Sequence, residues 1–290
     1  MQTGEATNEA FKVFGQEADT YDRNYSTDAD RYPDHVYRLR IFRDLLRDLK
    51  PRTILDTGCG SGIPLVAFLR DGYDAHGFDR SPDMVRATKQ RLQSENFDPT
   101  RVFEGDLDTF QSPLAEPFDA VLGLGTVYYT PNTSNTLKHL AHHTRPGGSL
   151  IFSLRNQLFS LCSLNEYSAE YLLREIFPLE PTSTQLNSSV TNYFEARFPK
   201  LDVSKLFQNV DERSIKSHVH NPLLVEQQLL RPNGLTLQGI YYYHFHALPP
   251  IFEHSHQREF YELSSQREIP TDWRGLVTAS CFVVHAIKQA

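Results

Sequence analysis

Cysteine is scarce in this 290-residue chain: Cys59, Cys162 and Cys281 are the whole supply. No two of them stand at metal-ligand spacing, and an odd, sparse set excludes a disulfide framework. Long apolar runs are missing as well. None approaches the roughly 20 residues that a membrane helix needs, and the opening "MQTGEATNEA" is too polar for a signal peptide. An excess of basic charge is also lacking. Lys and Arg number 29 against 36 Asp and Glu, for a net charge of -7. That balance argues against a nucleic-acid backbone as the main partner, leaving at most a local basic groove. Internal repeats and low-complexity tracts are absent. These absences predict a cytoplasmic chain with no membrane partner, working as a monomer or homodimer.

What is present is an ordinary folding composition, 39% hydrophobic and 22% charged. A chain of this length buries a core without covalent staples. Aromatics are frequent, with 14 Tyr and 19 Phe. They serve either a Phe-rich core or a pocket lined with tyrosines, whose rings bury while their hydroxyls stay available.

Residues 1–33 are polar with scattered aromatics and read as an N-terminal arm. From Asp34, Val36, Leu39, Phe42, Leu45, Leu46 and Leu49 recur at helical spacing until Pro51. Strands and helices then alternate. "TILDTG", "YDAHGFD", "RVFEGD", "FDAVLGLG" and "SLIFSL" read as strands. "IPLVAFLRDG", the stretch capped by Ser81 and Pro82, and "PNTSNTLKHLAHHTRPGG" read as helices, the last stopped by Pro146 and its glycines. This rhythm predicts an α/β fold, a mainly parallel sheet with helices on both faces. It breaks after Leu154. "SLNEYSAEYLLREIF" reads as helical, whereas residues 178–220 show no clear period, so residues 155–220 are expected to form an inserted lid. "NPLLVEQQLL" reads as a helix, and two last strands, "LTLQGIYYYHFHA" and "VTASCFVVHAIKQ", return to the sheet. The expected units are the arm (1–33), a core (34–154), the insertion (155–220) and the C-terminal part of the sheet (221–290), with about seven strands in all.

The chemistry concentrates at "ILDTGCGSG". Gly58, Gly60 and Gly62 let the chain leave a strand and enter a helix while a ligand approaches bare amides. The spacing is G-x-G-x-G, not the dinucleotide G-x-G-x-x-G, and Asp56 precedes it. A carboxylate there disfavours a pyrophosphate and favours a cationic ligand. Asp79 ends the second strand, 17 residues beyond Gly62, where a carboxylate holds ribose hydroxyls. Asp106 ends the third strand and either meets an adenine, with the Leu107 amide beside it, or caps a turn.

"ILDTGCGSG" together with "GFD", "EGD" and "RPGG" resembles the class I S-adenosylmethionine-dependent methyltransferases, over roughly residues 35–155 and the last two strands. The resemblance implies a Rossmann-like fold and S-adenosyl-L-methionine as cofactor. It implies that Asp56, Gly58, Gly60 and Gly62 surround the methionine part, Asp79 and Arg80 the ribose, and Asp106 with Leu107 the adenine. Leu124 and Gly125 would pass beneath the cofactor. Cys59 reads as packing. The arm, "FGQEADTYDRNY", is similar to arms that close over the cofactor in small-molecule members. Tyr21 and Tyr25 are then contacts, or, with Phe11 and Phe14, dock the arm.

The methyl acceptor is expected at the carboxyl ends of the later strands. Tyr128 and Tyr129 stand where related enzymes carry histidine, and either position an acceptor or pack under the lid. Arg155 and Asn156, after the fifth strand, suit a phosphate, carboxylate or sugar hydroxyl, although a surface salt bridge is the plainer role for Arg155. His244 and His246 share a strand face, and a histidine is the natural base near neutral pH. His246 is the first choice and His244 the second, with His218 and His220 of "SHVHNP" in reserve, His218 also as a substrate contact. No metal is expected: "HLAHH" places His139 and His143 one turn apart, but Leu140 breaks the zinc-protease pattern. "SLRNQLFSL" and "YYYHFHALPP" are similar to phrases in bacterial methyltransferases from surface-glycan gene clusters. The expected activity is O-methylation of a sugar, nucleotide-sugar or natural-product hydroxyl. N-methylation of a small amine or nucleoside, and cofactor binding without catalysis, are the alternatives.

Overall fold

The computed structural model describes Asp22, Tyr25 and residues 32–114, 116–177, 184–198 and 218–290. Tyr21, Phe11 and Phe14 lie outside the described residues. Helix α1 (Asp34–Leu49) buries Ile41, Phe42, Leu45 and Leu46 along one stripe and ends at Lys50, whose amide closes onto the Leu46 carbonyl at 2.8 Å. One further buried residue on that stripe is charged: Arg38. Strand β1 (Thr53–Thr57) runs into the glycine turn, and α2 (Ile63–Arg70) leaves it. Then follow β2 (Asp74–Asp79), α3 (Pro82–Ser94), β3 (Val102–Glu104), β4 (Phe118–Gly123) and α4 (Thr133–His143). As expected, Ser81 caps α3, its hydroxyl accepting from the Met84 amide at 3.4 Å, with Pro82 at the first position.

The sheet order is β3-β2-β1-β4, continued by β5 (Thr144–Asn156), β8 (Ala279–Lys288) and β7 (Leu235–Phe245). Neighbours from β3 to β5 are parallel, while β8 runs antiparallel to both β5 and β7. A two-residue strand, β6 (Val219–His220), pairs with Arg155 and Asn156 and makes eight. Helices α1, α2 and α3 pack on one face against Ile54, Ala120 and Ile151. Helix α4 and the turn Glu226–Leu230 cover the other face against Leu55, Val121 and Phe152. This is the α/β arrangement that the alternating pattern predicts. Because β1 lies between β2 and β4, the chain reverses direction across the sheet there, opening a crevice at the carboxyl ends of β1 and β4.

Three local readings change. Pro146 does not stop α4. The helix ends at His143, and "TRPGG" already belongs to β5, with a register shift between Phe118 and Ala120. "NPLLVEQQLL" gives only a π-helical turn, Glu226–Leu230, continued by a 3-10 turn. Within residues 178–220, where no period is apparent, α6 (Thr184–Glu195) follows α5 (Glu166–Tyr171); Val190, Phe194 and Phe198 pack on Ala169 and Leu173.

Candidate active site

Gly58, Gly60 and Gly62 all have positive φ, at 70°, 55° and 83°. At Gly58 a side chain is excluded twice over: its φ is left-handed, and a Cβ would stand 2.4 Å from Thr126 Cγ2. The turn is stitched to the end of β2. The Gly58 and Cys59 amides donate to the Phe78 carbonyl at 2.8 and 2.9 Å. Asp79 completes the joint, its carboxylate accepting from Gly60 N and from Ser81 N, both at 2.9 Å. Burial pushes the Asp79 carboxyl up, and these amide bonds pull it back.

Asp56 is buried directly behind the turn. Among the described residues neither of its carboxylate oxygens has a hydrogen-bond partner. Burial, reinforced by Asp79 and opposed by Arg38, pushes its carboxyl up to about 7. A buried carboxyl left unsatisfied points to a ligand or water that completes it.

In front of the turn lies a cavity of about 360 Å³, within the size range of small-molecule sites. Gly58, Gly60, Asp79 and Arg80 line it, and so do Asp106 and Leu107. Asp106 caps a turn and also lines the cavity. Its Oδ1 accepts from the Asp108 amide at 2.9 Å as a turn cap, while Oδ2 lies 3.4 Å from Arg80 Nε and faces the cavity. Gly125, Thr126, Tyr128 and Tyr129 form a further wall. The Gly125 amide donates to Ser153 Oγ at 2.7 Å. These groups fit a cationic nucleoside: carboxylates for hydroxyl and amino groups, bare glycine backbone, and an orphaned carboxyl behind the turn.

Helix α1 adds two wall residues that escaped sequence reasoning, His35 and Arg38. The signal was available for Arg38, a charge on the apolar stripe of a helix. Tyr25 sets its ring edge-on to His35, with centroids 5.0 Å apart. From the arm, Asp22 accepts from Ser61 Oγ at 2.5 Å and pairs with Arg91.

Tyr128 is buried and Arg155 lies over it, the guanidinium 5.3 Å from its ring centre and 6.0 Å from that of Tyr129. Arg155 Nη2 also donates to Tyr129 Oη at 3.4 Å, and Arg155 stands behind the two tyrosines without itself lining the cavity. Burial raises the Tyr128 phenol well above its ordinary range, so it accepts no proton near neutrality. His218 is exposed, and its amide reaches the Tyr128 carbonyl at 2.8 Å.

Other expected site residues are placed elsewhere. Asn156 belongs to β5 itself, is buried, and spends its amide on the fold: Nδ2 donates to the Leu276 and Ala279 carbonyls at 2.9 and 2.8 Å, and Oδ1 accepts from Leu158 N at 3.0 Å. It has nothing left for an acceptor. Leu124 turns into the core, and Gly62 caps α2 against Thr88; neither lines the cavity. His244 and His246 do share a face, ring centres 5.0 Å apart, but neither reaches the cavity. His244 stacks on Tyr32, and His246 is buried among Phe159 and Phe260. Burial lowers their imidazoles to about 4 and about 3, too weakly basic for proton abstraction at neutral pH. His139 and His143 both turn to the Phe110 carbonyl, at 2.8 and 2.9 Å. Among the described residues no group of three metal-ligating side chains stands together, and no helix is long and apolar enough to cross a membrane.

A family model described as a methyltransferase domain matches residues 29–221. Curated relatives include ubiquinone biosynthesis O-methyltransferases. The one from Coxiella burnetii is 26% identical over 136 residues, 47% of this chain and 56% of that protein. The one from Methylococcus capsulatus is 28% identical over 128 residues, 44% and 54% of the two chains. The chain thus spans about half the length of the curated relatives it matches. Among solved structures, an S-adenosylmethionine-dependent methyltransferase from Clostridium acetobutylicum superposes with a TM-score of 0.52 at 12% identity, covering 93% of this chain and 98% of that one. Magnesium protoporphyrin IX methyltransferase from Synechocystis, solved with bound S-adenosylhomocysteine, does so with 0.52 at 15% identity, covering 93% and 94%. With the family model spanning more than half of its length, and with the sheet order of the expected fold, this chain belongs to the class I S-adenosylmethionine-dependent methyltransferases.

Proposed function

We propose that the protein transfers a methyl group to a small-molecule hydroxyl, on an acceptor that carries an anionic group. The observation that carries this reading is one continuous cavity. Its walls include both the nucleoside-type carboxylates, Asp79 and Asp106, and the tyrosine pair over which Arg155 lies. The cofactor, when bound, supplies a methyl carbon activated by a positively charged sulfur. Asp79 holds the ribose hydroxyls, and Asp106 with the Leu107 amide reads the adenine. Arg38, against Gly125, binds the methionine carboxylate, and Asp56 favours the ammonium from behind the turn. On the acceptor side, Tyr128 and Tyr129 offer aromatic faces, and Arg155, next to them but outside the cavity lining, offers a guanidinium to the part of an acceptor that extends past the tyrosines as a phosphate or carboxylate. The curated relatives carry O-methyltransferase in their names, which supports oxygen as the receiving atom.

Calorimetry with S-adenosylmethionine and with NAD tests the cofactor, and a preference for NAD ends the reading. Methyl transfer from labelled S-adenosylmethionine to UDP-glucose and to 4-hydroxybenzoate tests the acceptor class. Label recovered in an amine in place of a hydroxyl moves the reaction to nitrogen.

A further inference from the structure

The glycine turn that faces the cavity is held from three sides. From β2, the Phe78 carbonyl and the Asp79 carboxylate fix the amides of Gly58, Cys59 and Gly60. From α3, Thr88 and Arg91 fix two successive carbonyls. They stand three residues apart and so share a helix face. Thr88 Oγ1 donates to the Gly60 carbonyl at 2.7 Å, and Arg91 Nε to the Ser61 carbonyl at 2.8 Å. The third side is the arm. Asp22 Oδ1 accepts from Ser61 Oγ at 2.5 Å, and Asp22 Oδ2 pairs with Arg91 Nη2.

These contacts close a ring on one turn residue. Ser61 is buried, with Asp22 on its hydroxyl and Arg91 on its carbonyl, while Asp22 and Arg91 hold each other. Ser61 lies between Gly60, which lines the cavity, and Gly62, which caps α2 at a φ of 83°. Glycine leaves such a conformation as readily as it enters it, so fixing Ser61 on two sides restrains the torsions of both neighbours. Three residues along the arm, Tyr25 packs edge-on against His35, which lines the cavity from α1. An ion pair as exposed as Asp22–Arg91 adds little to global stability. Its consequence comes from the turn on which it is placed.

We infer that Asp22 and Arg91 are positioning residues for the cofactor: their grip on Ser61 presets the glycine turn, so that docking of the arm and binding of the cofactor favour each other. The inference rests on the cofactor lying against the glycine turn and is independent of which acceptor is methylated. Linkage makes the effect reciprocal. Whatever factor the docked arm adds to cofactor affinity, the bound cofactor adds to arm docking. Arginine suits the position because its fork sends Nε to Ser61 and Nη2 to Asp22, a geometry that a lysine ammonium does not reproduce.

The test uses the full chain, with S-adenosylhomocysteine as the probe. Asp22→Ala should lower its affinity by about fivefold or more in calorimetry, while the thermal midpoint without ligand stays close to that of wild type. Arg91→Lys should lose affinity as well; full wild-type affinity in that variant overturns the two-sided grip. Hydrogen–deuterium exchange reads the reciprocal effect. In the wild type, saturating S-adenosylhomocysteine should slow exchange in the peptide that carries Asp22 and Tyr25, and Asp22→Ala should abolish that slowing. Arm exchange unaltered by the ligand, or an affinity within twofold of wild type in Asp22→Ala, overturns the coupling. Asp79→Asn locates the cofactor separately. If it weakens binding and Asp22→Ala does not, the cofactor lies at the turn and the arm has no part in holding it. If neither weakens binding, the cofactor lies elsewhere, and the placement on which this inference rests fails with it.

Discussion

Arg38 lies against the bare backbone of Gly125: a Cβ on that glycine would stand 2.3 Å from Nη1. The helix that opens the core and the loop that follows β4 meet at this point, with the cavity between them. Gly125 also has a φ of 79°, which costs an L-residue about 1–2 kcal/mol. Gly125→Ala should therefore displace the guanidinium and strain the loop together. We expect affinity for S-adenosylhomocysteine to fall about tenfold or more by calorimetry, 1.4 kcal/mol being tenfold. Unchanged affinity would mean that Arg38 has no part in holding the cofactor.

Asp79 has two tasks, since the carboxylate that faces the cavity also fixes the Gly60 and Ser81 amides. Asp79→Asn keeps one carbonyl oxygen and replaces the other acceptor with a donor. The variant loses one of the two amide bonds and any charge-assisted bond to the ribose. Cofactor affinity should drop by about 1–3 kcal/mol. Calorimetry measures that loss, and a thermal melt separates it from a general loss of stability.

Much of this site was legible because it is local in sequence. The glycine turn, Asp79 and Asp106 are strand-end residues whose spacing carries their role, and the structure gathers all three around one cavity. The strand–helix alternation was legible for the same reason, each element being written in its own periodicity. Long-range placement was not. Whether His246 reaches the cavity depends on where β7 ends against Phe159 and Phe260, which are far apart in sequence. In sequence the fifth strand ends at Leu154, which leaves Asn156 available. Two more residues of pairing, with Cys281 and β6, draw it into the fold. Arg38 was hidden by its surroundings, a single charge among the apolar positions of a helix.

Glu268 ties the end of the arm to β7, its Oε1 accepting from Tyr32 Oη at 2.5 Å and from the Phe245 amide at 2.8 Å. Burial holds its carboxyl up to about 7, whereas in the unfolded chain it ionises near 4.5. Between those values the folded chain binds the extra proton, so stability falls as pH rises through that window and levels off above it. Glu268→Gln keeps the accepting Oε1 and carries no charge. Its stability relative to wild type, from urea unfolding, should rise from pH 5 to about pH 7 and level off above that. A constant difference across that range would show that Glu268 ionises as freely in the folded chain as in the unfolded one.

His246 gives the opposite slope. Both its ring nitrogens lack partners among the described residues, and burial lowers the imidazole from 6.5 to about 3. As pH falls below 6.5 the unfolded chain takes up a proton that the folded chain refuses, so stability is lost toward acid. His246→Leu removes that loss and sets an apolar group against Phe159 and Phe260, where the orphaned ring costs energy. At pH 7 the variant should be at least as stable as wild type, and its advantage should widen from pH 6 to pH 4. S-adenosylhomocysteine affinity and methyl transfer should be unchanged, because the ring does not touch the cavity. A fall in kcat with stability intact would return His246 to the active site and show that β7 moves when an acceptor binds.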